Sequence, residues 1–210
     1  AGNQAFKQIK VTMRIGVLAL QGDFAEHLHM LREIGVDAVE VRLPEQLEGL
    51  DGLIIPGGES TTIGKLAQAY QLLEPLKEFG KQKPVWGTCA GAIFLSKDAK
   101  RPQPLLGLMD IKVERNAFGR QVASFETALD IPVLEKISPD QGPYHAVFIR
   151  APLIESVEGD AKALACLEDG RIVAAQQGNL LATAFHPELT SDDRFHRYFV
   201  SMVEAEKGSD

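Results

Sequence analysis

In the first hundred residues, short continuous apolar runs alternate with stretches whose apolar positions recur at helical spacing. Residues 14–20 (Arg-Ile-Gly-Val-Leu-Ala-Leu) are nearly all apolar, as in a strand buried on both faces, so they are expected to form the first central strand. Gln21 and Gly22 make a turn and Asp23 is a candidate cap. Phe24, Leu28, Leu31 and Ile34 then fall near the helical period before Gly35 stops the run, which predicts a helix over residues 24–34. The same reading predicts strands over residues 38–41, 52–55 and 85–88, and helices over 62–69 and 72–79. This alternation predicts an α/β fold of three layers, a mostly parallel central sheet with helices on both faces and right-handed crossovers. Ligands in such sheets bind beyond the carboxyl ends of the strands. Gln21, Gly57-Gly58 and Cys89 each follow an apolar strand directly, so they are expected on that one edge.

The second half is less regular. Strands are expected over residues 109–113 and 122–128, joined by residues 114–121. Residues 132–143 read as loop, and 147–150 as another strand. Runs at 163–167, 172–177 and 180–185, broken by Asp169-Gly170 and Gly178-Asn179, predict a small antiparallel meander. Residues 193–206 close as a helix. Residues 1–12, a mixed polar stretch before Met13, are expected to be an added or disordered extension, leaving residues 13–210 as a single domain.

Composition narrows the function classes. The 210 residues are 45% hydrophobic and 24% charged, with a net charge of −7. That balance suits a globular domain and argues against a nucleic-acid surface, which is normally basic. No apolar run approaches a membrane span. The chain has only two cysteines, Cys89 and Cys166, so no disulfide is expected and the cytoplasm is the expected compartment.

One of those cysteines lies in Gly87-Thr-Cys-Ala-Gly91, directly after an apolar run. A cysteine with small residues two before and two after is the pattern of a nucleophile elbow, where a strand turns sharply into a helix. Near the C-terminus, Phe185-His-Pro-Glu188 supplies the other chemistry. If His186 and Glu188 lie on the extended continuation of a strand, they project to one side and present a base with an orienting carboxylate. A cysteine nucleophile needs both. Pro56-Gly57-Gly58 ends a strand ahead of Ser60 and Thr61, candidate helix caps, and its exposed N–H groups suit an oxyanion. His27 and His29 lie on a helix without further ligands at metal spacing, so no metal site is expected. Cys166 reads as an inert core thiol, and His145 and His196 have no assignable partner.

Together these segments resemble the class I glutamine amidotransferases. Leu18 to Asp23, Pro56 to Thr62, Gly87 to Gly91, Glu114 to Gln121, Phe148 to Arg150 and Phe185 to Glu188 are similar, more narrowly, to glutaminase subunits of pyridoxal 5′-phosphate synthases. Other glutaminases of the class have leucine after the cysteine and glutamine two residues on, where this chain has Ala90 and Ala92. The resemblance implies a flavodoxin-like fold and hydrolysis of L-glutamine to L-glutamate and ammonia, with Cys89 as nucleophile, His186 as base and Glu188 orienting it. It implies an oxyanion hole at the N–H groups of Gly58 and Ala90, and glutamine held by Gly57, Gly58, Glu59, Arg115, Ile149 and Arg150. It implies no cofactor, and a partner synthase subunit, a (β/α)₈ barrel, in a large hetero-oligomer; Gln21, which follows the first strand on the same edge and has no role in the triad, is the candidate for coupling docking to the site. Two alternatives stay open. One is another cysteine hydrolase of the same fold, a γ-glutamyl hydrolase or the glutaminase of a different synthase. The other is a non-catalytic module, which would be expected to lack a triad member.

Overall fold

A computed structural model describes residues 12–118 and 124–209. The expected extension, apart from Thr12, therefore lies outside the described residues, as do residues 119–123 of the expected 114–121 connection and 122–128 strand.

The first half alternates as its pattern predicts. β1 (Arg14–Leu18), α1 (Phe24–Glu33), β2 (Asp37–Val41), β3 (Gly52–Ile55), α2 (Ser60–Ala69), α3 (Leu73–Gln82), β4 (Val85–Thr88) and α4 (Ala90–Leu95) follow in order. The second half adds β5 (Ser96–Asp98), β6 (Met109–Glu114), β7 (Ser124–Leu129), α5 (Pro132–Glu135), β8 (Tyr144–Ile149), β9 (Leu153–Val157), β10 (Lys162–Cys166), β11 (Ile172–Gln177), β12 (Leu180–Thr183) and α6 (Arg194–Lys207).

The main sheet runs β2-β1-β3-β4-β12-β11-β9-β6-β5, with β10 added on β11. From β2 through β12 every pairing is parallel. β11 pairs antiparallel with β12, β9 and β10, so the expected meander is an extension of the central sheet. A separate antiparallel pair, β7 and β8, stands apart from it. The strands β3, β4 and β12 are buried along their whole length, which explains sequences without a charge and, apart from the terminal Thr88 and Thr183, without a polar side chain. Two apolar cores cover the faces. One is centred on Leu53, Ile63, Leu76, Phe94 and Met109; the other holds Trp86, Phe185, Phe195 and Phe199.

Several boundaries move for identifiable reasons. β1 stops at Leu18, and the Ala19 amide donates a hydrogen bond to the Val41 carbonyl at 2.8 Å. α2 starts at Ser60 because Glu59 is the cap: its carboxylate accepts from the amides of Thr61 and Thr62 at 3.2 and 2.7 Å. Ser60 and Thr61, the expected caps, lie inside the helix. The stretch read as loop over 132–143 contains the single turn α5, entered through Pro132 at its first position.

Candidate active site

β4 carries the elbow and lies between β3 and β12, with Gly87 opposite Ile55 and Thr88 opposite Thr183. Beyond Thr88 the chain reverses into α4 with Cys89 at φ 51° and ψ −109°, a conformation rare for any residue with a side chain. The surroundings hold it there. The Cys89 amide donates to the Thr183 carbonyl at 2.8 Å, and its own carbonyl accepts from Ala92 at 3.0 Å. The flanking glycines are sterically required. A Cβ on Gly87 would lie 2.4 Å from the Gly91 carbonyl oxygen, and one on Gly91 would lie 2.0 Å from that of Ile55.

β12 delivers the histidine by a route that differs from the expected one. The strand ends at Thr183, and Pro187–Leu189 form a 3-10 turn, because Pro187 has no N–H with which to continue a ladder. His186 is fixed by its amide, which donates to the Val147 carbonyl at 2.9 Å. The turn folds Glu188 back, so His186 Nδ1 lies 2.6 Å from Glu188 Oε1. Cys89 and His186 converge on the Cα of Gly57: a Cβ built there would be 2.8 Å from His186 Cε1 and 3.3 Å from Cys89 Cβ. His186 Nε2 is buried and without a hydrogen-bond partner among the described residues. Burial disfavours the imidazolium, but Cys89 and Glu188 outweigh it and raise the His186 pKa. Burial raises the Glu188 carboxyl, against the pull of His186.

The turns after β1 and β3 are fastened together. The Asp23 amide donates to the Gly57 carbonyl at 2.9 Å, and Gln21 Oε1 accepts from the Glu59 amide at 2.8 Å. A Cβ on Gly22 would sit 1.8 Å from the Gly57 oxygen, and one on Gly58 would sit 2.3 Å from Gln21 Oε1. In a trans peptide the N–H opposes the C=O, so the Gly58 N–H faces away from the 21–23 turn. Glu59 ties in Arg115, whose Nη2 lies 2.7 Å from Oε1 while Nη1 donates to Thr61 Oγ1 at 3.2 Å. Despite its desolvation, hydrogen bonds from Thr62 and Thr61 and the charge of Arg115 take the Glu59 pKa down to about 2. The Ile149 carbonyl lies 4.0 Å from Cys89 Sγ, which places the end of β8 against the thiol. Arg150 follows in the left-handed region at φ 45°. Its side chain is exposed and makes no ion pair among the described residues.

Asp23, His27 and His196 have roles at the site that the sequence did not indicate, and Asp23, the candidate cap of α1, makes no side-chain capping hydrogen bond. Asp23 Oδ2 approaches His186 Nδ1 at 3.5 Å. Asp23, His186 and Glu188 each bring a possible ligand atom to within 4.8 Å of the others. Both carboxylates face the same ring nitrogen, which is a donor in a histidine acting as base through its other nitrogen, so the set serves the imidazole better than a cation. His27, read as an ordinary helix residue, is fully buried, 2.9 Å from His196 Nε2 and 3.2 Å from Thr88 Oγ1. His196 thus has a partner that its sequence position did not indicate. Burial, then His196 and His186, take the His27 pKa well down, and burial takes His196 to about 3. The signal for this pair was the helical phase of His27, on the same face as Leu28 and Leu31. His29 is exposed. His145, also without an expected partner, pairs at the surface with Glu126. Cys166 is exposed, contrary to its reading as a core thiol, because it ends β10 at the side of the sheet.

Comparison with known proteins gives the family. The model of the SNO glutamine amidotransferase family matches residues 17–205. The pyridoxal 5′-phosphate synthase subunit PdxT of Herpetosiphon aurantiacus is 58% identical over 195 residues, covering 90% of this chain and all of that protein. The PdxT of Moorella thermoacetica is 58% identical over 193 residues, covering 91% of this chain and all of that one. A crystal structure of a glutamine amidotransferase superposes with a TM-score of 0.83 at 47% identity, covering 90% of this chain and 98% of that one. With a cysteine elbow, a paired histidine and carboxylate, and a family match along nearly its whole length, the chain belongs to the SNO glutamine amidotransferase family and is a glutaminase.

Proposed function

We propose that Cys89, His186 and Glu188 form the triad that hydrolyses L-glutamine, and that the ammonia passes to a synthase subunit for pyridoxal 5′-phosphate (vitamin B6) synthesis. The observation that carries the triad is the convergence of Cys89 and His186 on Gly57, with Glu188 on the far ring nitrogen at 2.6 Å. The Cys89 thiolate attacks the side-chain carboxamide carbon, and the oxyanion is met by the N–H groups of Gly58 and Ala90. His186, holding the thiol proton, gives it to the leaving nitrogen as ammonia departs. Water, deprotonated by His186, then cleaves the γ-glutamyl thioester to glutamate and the free thiol.

We assign glutamine binding to Gly57, Gly58, Glu59, Arg115, Ile149 and Arg150, at the mouth formed by three strand-end turns. Arg115 already presents its guanidinium to Glu59, so the two are set to receive the amino and carboxylate ends of the substrate as a pair. We read residues 13–210 as one glutaminase domain working in the cytoplasm. The names of its relatives support a synthase partner; we expect a (β/α)₈ barrel in a large hetero-oligomer, docked over the face that carries Gln21.

The test is ammonia release from glutamine with the synthase present. Cys89→Ala should abolish it while leaving thermal unfolding intact, and Cys166→Ala should leave the rate within a few-fold. Unchanged turnover in Cys89→Ala would remove the nucleophile assignment.

A further inference from the structure

Behind Glu188 lies a closed set of polar groups that the proposed chemistry leaves unused. Glu188 Oε1 is taken by His186, but Oε2 is buried with no hydrogen-bond partner of normal geometry among the described residues; His27 Nε2 lies 3.4 Å from it, within ion-pair distance, and both side chains are fully inaccessible. The same Nε2 lies 3.2 Å from Thr88 Oγ1 at the end of β4, and His27 Nδ1 lies 2.9 Å from His196 Nε2 on α6. His196 Nδ1 is buried with no partner among the described residues. Trp86 closes the set, with ring centroids 5.6 Å from His27 and 4.8 Å from His196.

The proton positions follow from elementary hydrogen-bond accounting. Burial keeps both rings neutral, so each carries one N–H. A nitrogen facing an ionised carboxylate is stabilised there as a donor, which puts the His27 proton on Nε2. His27 Nδ1 is then an acceptor, and His196 Nε2 must donate to it. That leaves His196 Nδ1 bare, and it is the nitrogen with nothing to bind. The opposite assignment would bury an unmatched N–H on His196 and turn a lone pair of His27 toward the carboxylate, and buried orphan donors are the rarer and costlier case.

We propose that His196 and His27 form a one-directional relay that clamps the second oxygen of Glu188 and thereby fixes the ring orientation and tautomer of His186. His196 Nε2–H donates to His27 Nδ1, and His27 Nε2–H is shared between Thr88 Oγ1 and Glu188 Oε2. Both histidines are positioning residues, since neither touches the thiol. The inference rests on the reading of Cys89, His186 and Glu188 as the triad. Its mechanical content is that a carboxylate held at both oxygens cannot rotate, so His186 keeps its Nδ1–H on Glu188 and its Nε2, the nitrogen that exchanges the proton with Cys89, aimed at the thiol.

Two measurements test it. In ring-nitrogen NMR of the unmodified protein, His27 and His196 should both show protonated Nε2 and bare Nδ1, unchanged from about pH 6 to 8; a protonated Nδ1 on either overturns the relay. The second is alkylation of Cys89 by iodoacetamide as a function of pH. His27→Gln keeps an amide N–H near the Nε2 position, whereas His27→Asn reaches only the Nδ1 position. His27→Asn should slow alkylation at neutral pH by roughly 10-fold and displace the pH midpoint, as expected for a partner that orients a working histidine, while His27→Gln stays within about 3-fold. A folded His27→Asn with the unmodified rate and midpoint overturns the proposal. If alkylation of the unmodified protein does not depend on His186, tested with His186→Asn, the triad reading falls and the relay with it. Dependence on His186 with indifference to His27 removes the relay alone. Should His27→Asn fail to fold, the ring-nitrogen result decides.

Discussion

Cys89 sits in the left-handed region because the residues around it have no side chains to object. The nearest obstacle to a Cβ on Gly91 is backbone, the Ile55 carbonyl at 2.0 Å, so no rotamer change relieves it and β3 must part from α4. Gly91→Ala should therefore lower stability by about 1–3 kcal/mol, the usual cost of overpacking, and reduce turnover more than that loss implies; thermal unfolding and steady-state ammonia release would show both. At the proposed base, His186→Asn should be nearly as damaging as removal of the thiol, whereas Glu188→Gln should retain more activity if the carboxylate acts through the ring as proposed. Equal, near-normal rates in the two would assign the base elsewhere. The three segments of the proposed triad were legible in the sequence because the cysteine, the histidine and the carboxylate each occupy a short motif. Asp23 and His27 were not, since their partners come from distant segments, His186 for Asp23 and both Thr88 and His196 for His27. Cys166 was misread because apolar neighbours in sequence do not say on which side of the sheet a strand ends.

α2 is held at its start by Glu59, and this has a pH signature. The carboxyl falls from its ordinary 4.5 to about 2 in the folded chain, so its contribution is present above pH 4.5 and is lost as pH falls toward 2. With the side chain 43% exposed, solvent screens the charge and the cap is worth only about 1 kcal/mol. Glu59→Gln should lose about that much at pH 7, with the difference from the unmodified protein vanishing near pH 2 in pH-dependent thermal unfolding. α6 carries the opposite kind of group. His196 is neutral in the fold, its pKa lowered from 6.5 to about 3, so its contribution is full above pH 6.5. As pH falls further the unfolded chain takes up a proton that the folded chain refuses. His196→Phe should flatten the acid slope of urea unfolding by about 2 kcal/mol between pH 6.5 and 5. The elements themselves were largely legible, since β3, β4 and β12 are buried end to end and read as short, mostly apolar runs without a charge. Their ends were less so: the start of α2 depends on a glutamate cap, and the 187–189 turn on a proline that ends a strand.

Across the whole molecule, three adjacent strand ends assemble the site: β3 brings Gly57 to Glu59, β4 brings Cys89, and β12 brings His186 and Glu188. β1 adds Gln21, whose carbonyl oxygen holds the Glu59 amide at 2.8 Å and would collide with any side chain on Gly58. This contact links the face proposed for the synthase to the proposed oxyanion donor. Glutaminase activity should be low for the isolated chain and rise when the synthase is added. Gln21→Ala should blunt that rise more than it weakens glutamine binding, as read by kcat against KM with and without partner. A Gln21→Ala protein activated to the full extent would sever docking from the site. The position of β12 also governs the order in which a growing chain can complete itself. β2, β1, β3 and β4 are contiguous in the sheet and all precede residue 89, but the place beside β4 belongs to residues 180–183. While the intervening ninety or so residues emerge from the ribosome, the edge of β4 that awaits β12 has no partner, and such an edge readily pairs with other chains. The nascent protein is thus most vulnerable to misassociation beside its proposed nucleophile, and the proposed triad is complete only once residue 188 has been made.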